Sequence, residues 1–354
     1  MMLLSVPGAV VPSAAWSWPA RRRVSTSTRT ATRTATRTAT VARLDAMNQG
    51  AGLPGHASRA WWALAGYAAV TFAWTWTIWW GAVVARALSI DVPVGLVVFL
   101  GGPGPLLGAL FVLRRSARGY RRGFLGRTVD PRRVSGAWWL AMVAVAVLPA
   151  LVGYLGSAAV GRPASMEVAL SAGAIAFAIG FALAAGLVEE PGWRGVAQDL
   201  AQHRAKPVVG ILVVAALWVA WHLPLFFLEG TYQHALGFLT PRFWSFNASL
   251  ALLSVLYAWL VNGSGGSVLI AVVAHAGTNV AGGLIPQDAV TDVFRTLALL
   301  LAAVAVVAFT RGDLALAPSR RARVTHVAAA PGGDTGDGVE AVWAPADPSL
   351  EPEP

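Results

Sequence analysis

Long apolar blocks, each parted from the next by a short polar or basic stretch, dominate this chain between residues 61 and 309. A helix that crosses a bilayer needs about 20 mainly apolar residues. Eight segments meet that need: 61–84, 93–113, 137–160, 172–203, 207–228, 246–262, 267–284 and 290–309. The pattern predicts an all-α fold, a polytopic integral membrane helical bundle of about eight transmembrane helices. The fourth segment is too long for one simple span. Trp61, Trp62, Trp79, Trp80, Trp138 and Trp139 fall near segment ends, where an interfacial aromatic belt would place them.

Composition agrees. Of the 354 residues 56% are hydrophobic and 12% charged, against roughly 25% charged in an ordinary soluble domain. The net charge of +10 does not point to nucleic acid, because the Arg residues are gathered in the tails and in one inter-span loop, as the positive-inside rule expects. That loop carries Arg114, Arg115, Arg118, Arg121, Arg122, Arg127, Arg132 and Arg133 against the single acid Asp130. It is expected to be cytoplasmic. Counting spans outward from it puts both termini in the cytoplasm of a multi-pass cell-membrane protein. The absence of Cys excludes disulfides, thiolate ligands and a thiol nucleophile.

Three regions are expected. Residues 1–60 read as a disordered, basic, low-complexity tail: Arg21-Arg22-Arg23 and three Arg-Thr-Ala-Thr units from Arg29 to Thr40 precede the first acid, Asp45. Such a stretch also resembles a transit peptide, and a true start at Met47 is a third reading. Residues 61–310 form the bundle. Residues 311–354 read as a disordered cytoplasmic tail, rich in Pro, Gly, Asp and Glu towards its end.

The candidate chemistry lies where charge interrupts apolar sequence. Glu189-Glu190-Pro191-Gly192-Trp193-Arg194 sits within the fourth block, and His222 and His275 interrupt two later ones. Ionisable side chains are expensive in a bilayer, so each is a functional candidate by default. If a turn near Ala205-Lys206-Pro207 reverses the chain, Glu189 and His222 both lie ~24 Å from it along antiparallel helices, at matching depth. Pro191 and Gly192 are placed to kink the first of these helices. His275 lies ~14 Å beyond the Gly263–Gly266 turn, and Asn279 follows on the same face at i+4.

Neighbouring helical residues point ~100° apart, so Glu189 and Glu190 cannot both face one spot. Glu190 is placed to pair with Arg194 at i+4 as a structural ion pair, which leaves Glu189 as the freer carboxylate and the candidate general base. Trp218 and Trp221 read as packing around His222. Asp199, His203 and Arg204 read as solvated residues at the cytoplasmic interface, and Tyr232, His234 and Arg242 of the outer loop carry no assignment. The chain has no His-Glu-x-x-His zincin motif, no supported serine nucleophile and no paired intramembrane Asp. A buried Glu and two His would also serve a non-enzymatic transporter, scaffold or immunity protein as a proton relay.

These residues resemble the CPBP membrane proteases, the family of CAAX prenyl endopeptidases and bacteriocin-processing proteins. Glu189, Glu190 and Arg194 match its Glu-Glu-x-x-x-Arg motif. Trp218-Val-Ala-Trp-His222 matches Phe-x-x-x-His with Trp for Phe, and His275-Ala-Gly-Thr-Asn279 matches His-x-x-x-Asn. The resemblance covers about residues 170–285. It implies an intramembrane endopeptidase, open to the cytoplasm, acting on a membrane-associated protein or peptide within the lipid bilayer. By that analogy Glu189 activates a water with help from His222, His275 and Asn279 stabilise the oxyanion, and Glu190, Arg194 and Trp218 support the site. The family is also called metalloprotease, and Glu189, His222 and His275 would make a sufficient zinc set. Both readings, glutamate alone or Zn, stay open at this stage. The Ala-, Gly- and Arg-rich composition is that of a high-GC bacterial genome, which points away from a prenylated substrate.

Overall fold

The computed structural model describes residues 54–315 except 117, 163–171, 204 and 285–287. The expectations for residues 1–53, including the start at Met47, and for residues 316–354 lie outside the described residues. The described residues are helical, with no strand among them. Helix α1 spans Pro54–Ala87, α2 Val94–Gly101, α3 Gly104–Arg114, α4 Arg118–Val129 and α5 Gly136–Ala159. Helix α6 spans Ala172–Gly192 and runs through a π-helical turn, Trp193–Ala197, into the short α7, Gln198–Gln202. Then follow α8 (Pro207–Trp221), α9 (Tyr232–Leu236), α10 (Pro241–Gly263), α11 (Leu269–Leu284) and α12 (Ala289–Phe309).

Each expected span is present as helix. Among the described residues six stretches are long and apolar enough to cross a membrane: Ala60–Ala87, Val94–Arg114, Gly136–Ala159, Pro207–Phe226, Pro241–Gly263 and Ala289–Phe309. The other two expected spans are the ones that carry charge or are short, α6 with its π turn and the 16-residue α11. The second span is broken between α2 and α3, where Pro103 ends one helix and starts the next. Many outward side chains are apolar, among them Leu140, Leu155, Leu301 and Phe309, as expected of surfaces that face lipid.

Close backbone contacts through glycine set the packing around the site. A Cβ on Gly104 would lie 2.7 Å from the Thr71 carbonyl, and one on Gly108 would lie 2.8 Å from that of Tyr67. These two glycines, four apart, let α3 settle directly on α1, as small residues do in membrane bundles. Gly186 does the same between α6 and α11, since a Cβ there would lie 2.6 Å from Val272 O. The chain reverses between α7 and α8, between α8 and α10 through the segment 222–240 that holds α9, and between α10 and α11, so α11 runs opposite to α6. Side chains lean towards the N-terminus of their own helix. Glu190 on α6 and His275 on α11 therefore lean towards each other across the Gly186–Val272 contact.

Two sequence expectations change here. Trp79 is not part of an interfacial belt: it is 1% exposed and packs on Trp221 with ring centroids 4.7 Å apart. Its place one turn below Thr75, which bonds both Trp221 and the Gly101 carbonyl, puts it in the core. The Arg-rich segment expected as a loop contains α4, whose Tyr120, Phe124 and Arg127 form one buried face.

Candidate active site

Pro191 lies inside α6 and is followed at once by the π turn. A proline removes one helical hydrogen bond, and π turns inside helices occur most often at functional sites. The turn keeps Glu190 and Arg194 within reach of each other, with Arg194 Nη1 3.5 Å from Glu190 Oε2. Both side chains are fully buried. At that length the contact is an ion pair rather than a short hydrogen bond. Arg194 is further held by aromatic faces, its guanidinium lying 4.5 Å from the Trp218 ring centroid and 5.3 Å from that of Tyr257. Arg194 Nη2 also donates to Ser254 Oγ at 3.4 Å.

Glu189 is buried, and its Oε2 accepts the indole N–H of Trp218 at 2.9 Å. The helical register therefore sets Glu189 opposite Trp218, one turn short of the His222 expected from equal spacing. Trp218 is thus a polar partner of the site as well as a packing residue. His222 caps the end of α8. Its Nδ1–H donates to Trp218 O at 2.9 Å, which leaves Nε2 as the free, accepting nitrogen. The ring is bounded by Trp218, Trp221 and Phe246, with centroids 5.9, 4.8 and 5.7 Å away.

On α11, His275 donates from Nδ1 to Glu190 Oε1 at 2.8 Å. Glu190 consequently bridges Arg194 and His275, a role that a pairing of i and i+4 residues alone does not reveal. The Trp218 ring lies 5.7 Å from His275, centroid to centroid. Tyr257 of α10 stacks on His275 at 6.3 Å and lies 6.2 Å from the Trp218 ring, and it donates to Thr278 Oγ1 at 2.9 Å. Neither Tyr257 nor Ser254 was singled out in the sequence. The available signal was a polar residue on each of two turns of an otherwise apolar span. Asn279 lies one turn beyond His275 and is exposed. So Glu189, Glu190, Arg194, Trp218, His222 and His275 gather at one buried place, with Asn279 at its margin.

The residues expected at the cytoplasmic interface differ from expectation. Asp199 is not solvated. Two guanidinium nitrogens of Arg127 reach its carboxylate, at 2.5 and 3.2 Å, and the Tyr120 hydroxyl donates to it at 2.9 Å. Burial, and then the charge of Asp199, push the Tyr120 phenol well above its ordinary pKa. Burial opposes the charge of Arg127, but Asp199 beside it more than reverses this and holds the guanidinium protonated. His203 is half-buried, and Arg204 lies outside the described residues. In the outer loop, Arg242 and Arg295 hold the buried Asp292 at 2.9 and 3.1 Å.

A metal would need three such ligands around one point. Among the described residues no group of three or more His, Asp or Glu is so arranged. The residues as arranged do not fit a zinc ion.

Comparison with known proteins agrees with the motifs. Residues 171–281 match the model of the Rce1-like type II CAAX prenyl endopeptidases. A curated relative, CAAX prenyl protease 2 of Methanococcus maripaludis, is 26% identical over 132 residues, 36% of this chain. The chain spans about half the length of that relative, 48% of it. The matched segment runs from the start of α6 into α11 and holds every residue of the site. Over residues 171–281, then, this chain is similar to the Rce1-like type II CAAX prenyl endopeptidases.

Proposed function

We propose that this protein is an intramembrane endopeptidase that hydrolyses a peptide bond in a membrane-associated protein or peptide by glutamate-activated water. The observation that carries the reading is the meeting of three separated motifs on Trp218. Its indole N–H holds Glu189, its carbonyl holds His222, and its ring lies against His275.

With Oε2 held by Trp218, Glu189 turns Oε1 to a water and takes its proton as the hydroxide attacks the scissile carbonyl. His222 assists through its free Nε2, as a second acceptor for the water. The developing oxyanion needs donors in a dry setting, where they act most strongly. His275, held by Glu190 through Nδ1, supplies a donor from Nε2 when protonated, and Asn279 supplies an amide N–H. The proton on Glu189 then passes to the leaving amine. Every proton is accounted for by residues of this chain and one water.

The relative's name supports a peptide-bond hydrolase and says nothing of this chain's substrate. Comparing the proteomes of cell envelopes that carry the wild-type protein or Glu189→Gln tests the reading. A membrane-associated protein should be shortened only in the wild type; identical fragment patterns would contradict it.

A further inference from the structure

Helix α4 has two faces. Tyr120, Phe124 and Arg127 are buried, while Arg118, Arg121, Arg122, Leu125 and Val129 are exposed. At 3.6 residues per turn the five exposed residues fall within an arc of about 100°, opposite the buried three. The helix contains no acidic residue. Arg118, Arg121 and Arg122 crowd its N-terminal half, where cations oppose the helix dipole. Helix stability does not explain them there, and a 12-residue helix is marginal in water by itself. Beyond them on the same stripe, Leu125 and Val129 are 63% and 66% exposed.

We infer that the outward face of α4 docks on an anionic phospholipid surface, with the three Arg side chains on headgroup phosphates and Leu125 and Val129 in the acyl boundary. A basic stripe continued by exposed apolar residues is the pattern of an interfacial helix. The charge is complementary to the anionic cytoplasmic leaflet, where the positive-inside reading puts this loop. Arginine suits phosphate through bidentate hydrogen bonding.

The buried face ties this surface to the site. The Tyr120 hydroxyl, whose one proton Asp199 and the Gly195 carbonyl of the π turn share as acceptors, lies 3.1 Å from that carbonyl, and a Cβ on Gly195 would lie 2.7 Å from the Phe124 ring. Arg127 donates from Nε to Gly266 O at 2.7 Å, and its own carbonyl accepts from Val268 N at 2.8 Å. So α4 grips both the turn that follows Glu189 and Glu190 and the turn that begins the helix of His275. Lipid bound outside would hold α4 against both. This surface does not depend on what reaction the site performs.

The test is titration of the purified full chain, in neutral detergent, with phosphatidylglycerol or phosphatidylcholine, reading bound fluorescent lipid and Tm. Phosphatidylglycerol should bind, raise Tm and lose affinity as salt rises; phosphatidylcholine should do neither. The triple variant Arg118→Gln, Arg121→Gln, Arg122→Gln should bind phosphatidylglycerol about 10²-fold more weakly. The corresponding triple Lys variant should keep most of the affinity. A second variant, Leu125→Asn with Val129→Asn, leaves every charge and the topology signal intact and should lose about 10-fold. Equal phosphatidylglycerol binding by the wild type and both stripe variants would overturn the inference. So would an Arg-dependent Tm difference that needs no lipid and vanishes when residues 331–354 are removed, which would assign the stripe to the chain's own acidic tail.

Discussion

The imidazole of His275 and the carboxylate of Glu190 are hydrogen-bonded at 2.8 Å across 85 residues of sequence. The same carboxylate faces Arg194 at 3.5 Å. Glu190 therefore has two separable tasks, neutralising a buried guanidinium and orienting an imidazole. Glu190→Ala should lower folded yield by leaving Arg194 unpaired, at a cost of about 3–5 kcal/mol. Glu190→Gln keeps a hydrogen-bond acceptor and should fold better, yet lose activity by ~10²-fold if the carboxylate is what fixes His275 as an oxyanion donor. Yield and kcat measured on both variants check this. A well-folded Glu190→Gln with wild-type kcat would remove His275 orientation from the account.

Trp218 offers the next separation, because its ring and its N–H do different things. Trp218→Phe keeps the aromatic contacts with Arg194 and His275 but removes the donor to Glu189 Oε2. It also restores the Phe of the family motif. The variant should fold, with kcat lowered ~10-fold by a looser Glu189 and KM little changed. Trp218→Leu should lose folded protein as well, since Arg194 then keeps only the more distant face of Tyr257. If Trp218→Phe loses no activity, the indole donor has no positioning role.

Between α4 and α7, Arg127 and Asp199 form a partly buried pair. Removing either partner alone should cost about 3–5 kcal/mol, because the other charge is left without its partner. The double variant Arg127→Ala with Asp199→Ala should be more stable than the sum of the two single losses implies. Tyr120→Phe should cost about 1 kcal/mol. Tm across these four variants measures the coupling, and additive losses would show that the pair does not act as a unit.

Much of this arrangement was legible in the sequence because the bilayer permits so few polar residues. Glu189, Glu190, Arg194, His222 and His275 stand out against apolar surroundings, and spacing alone brought their helices together. What spacing missed came from geometry finer than helical rise. The indole N–H of Trp218, one turn before His222, reaches Glu189, and no residue pattern signals the π turn after Pro191. Asp199 looked solvated because α4, which covers it, lies in a segment whose abundance of Arg reads as loop. The Glu190–His275 bond depends on Gly186, whose missing Cβ lets α6 and α11 touch. Trp79 lies at a span end in sequence and inside the bundle in space, because Trp221 packs on it.

Metal dependence follows from the same arrangement. No three potential ligands among the described residues surround one point. The purified protein should keep its activity and its Tm after prolonged treatment with a strong chelator and should carry well under one zinc per chain. Stoichiometric zinc that disappears in both His222→Ala and His275→Ala would instead establish a metal site formed by rearrangement of these side chains.

The most direct test of the central claim is cleavage of a membrane-associated peptide by purified protein in lipid vesicles, comparing the wild type with Glu189→Gln. The variant keeps the size of the side chain and an acceptor for the Trp218 N–H, so it should insert, accumulate and melt as the wild type does. Its cleavage rate should fall by at least ~10²–10⁴-fold, the contribution of a positioned general base. Wild-type cleavage by a well-folded Glu189→Gln protein would contradict glutamate-activated water at this site.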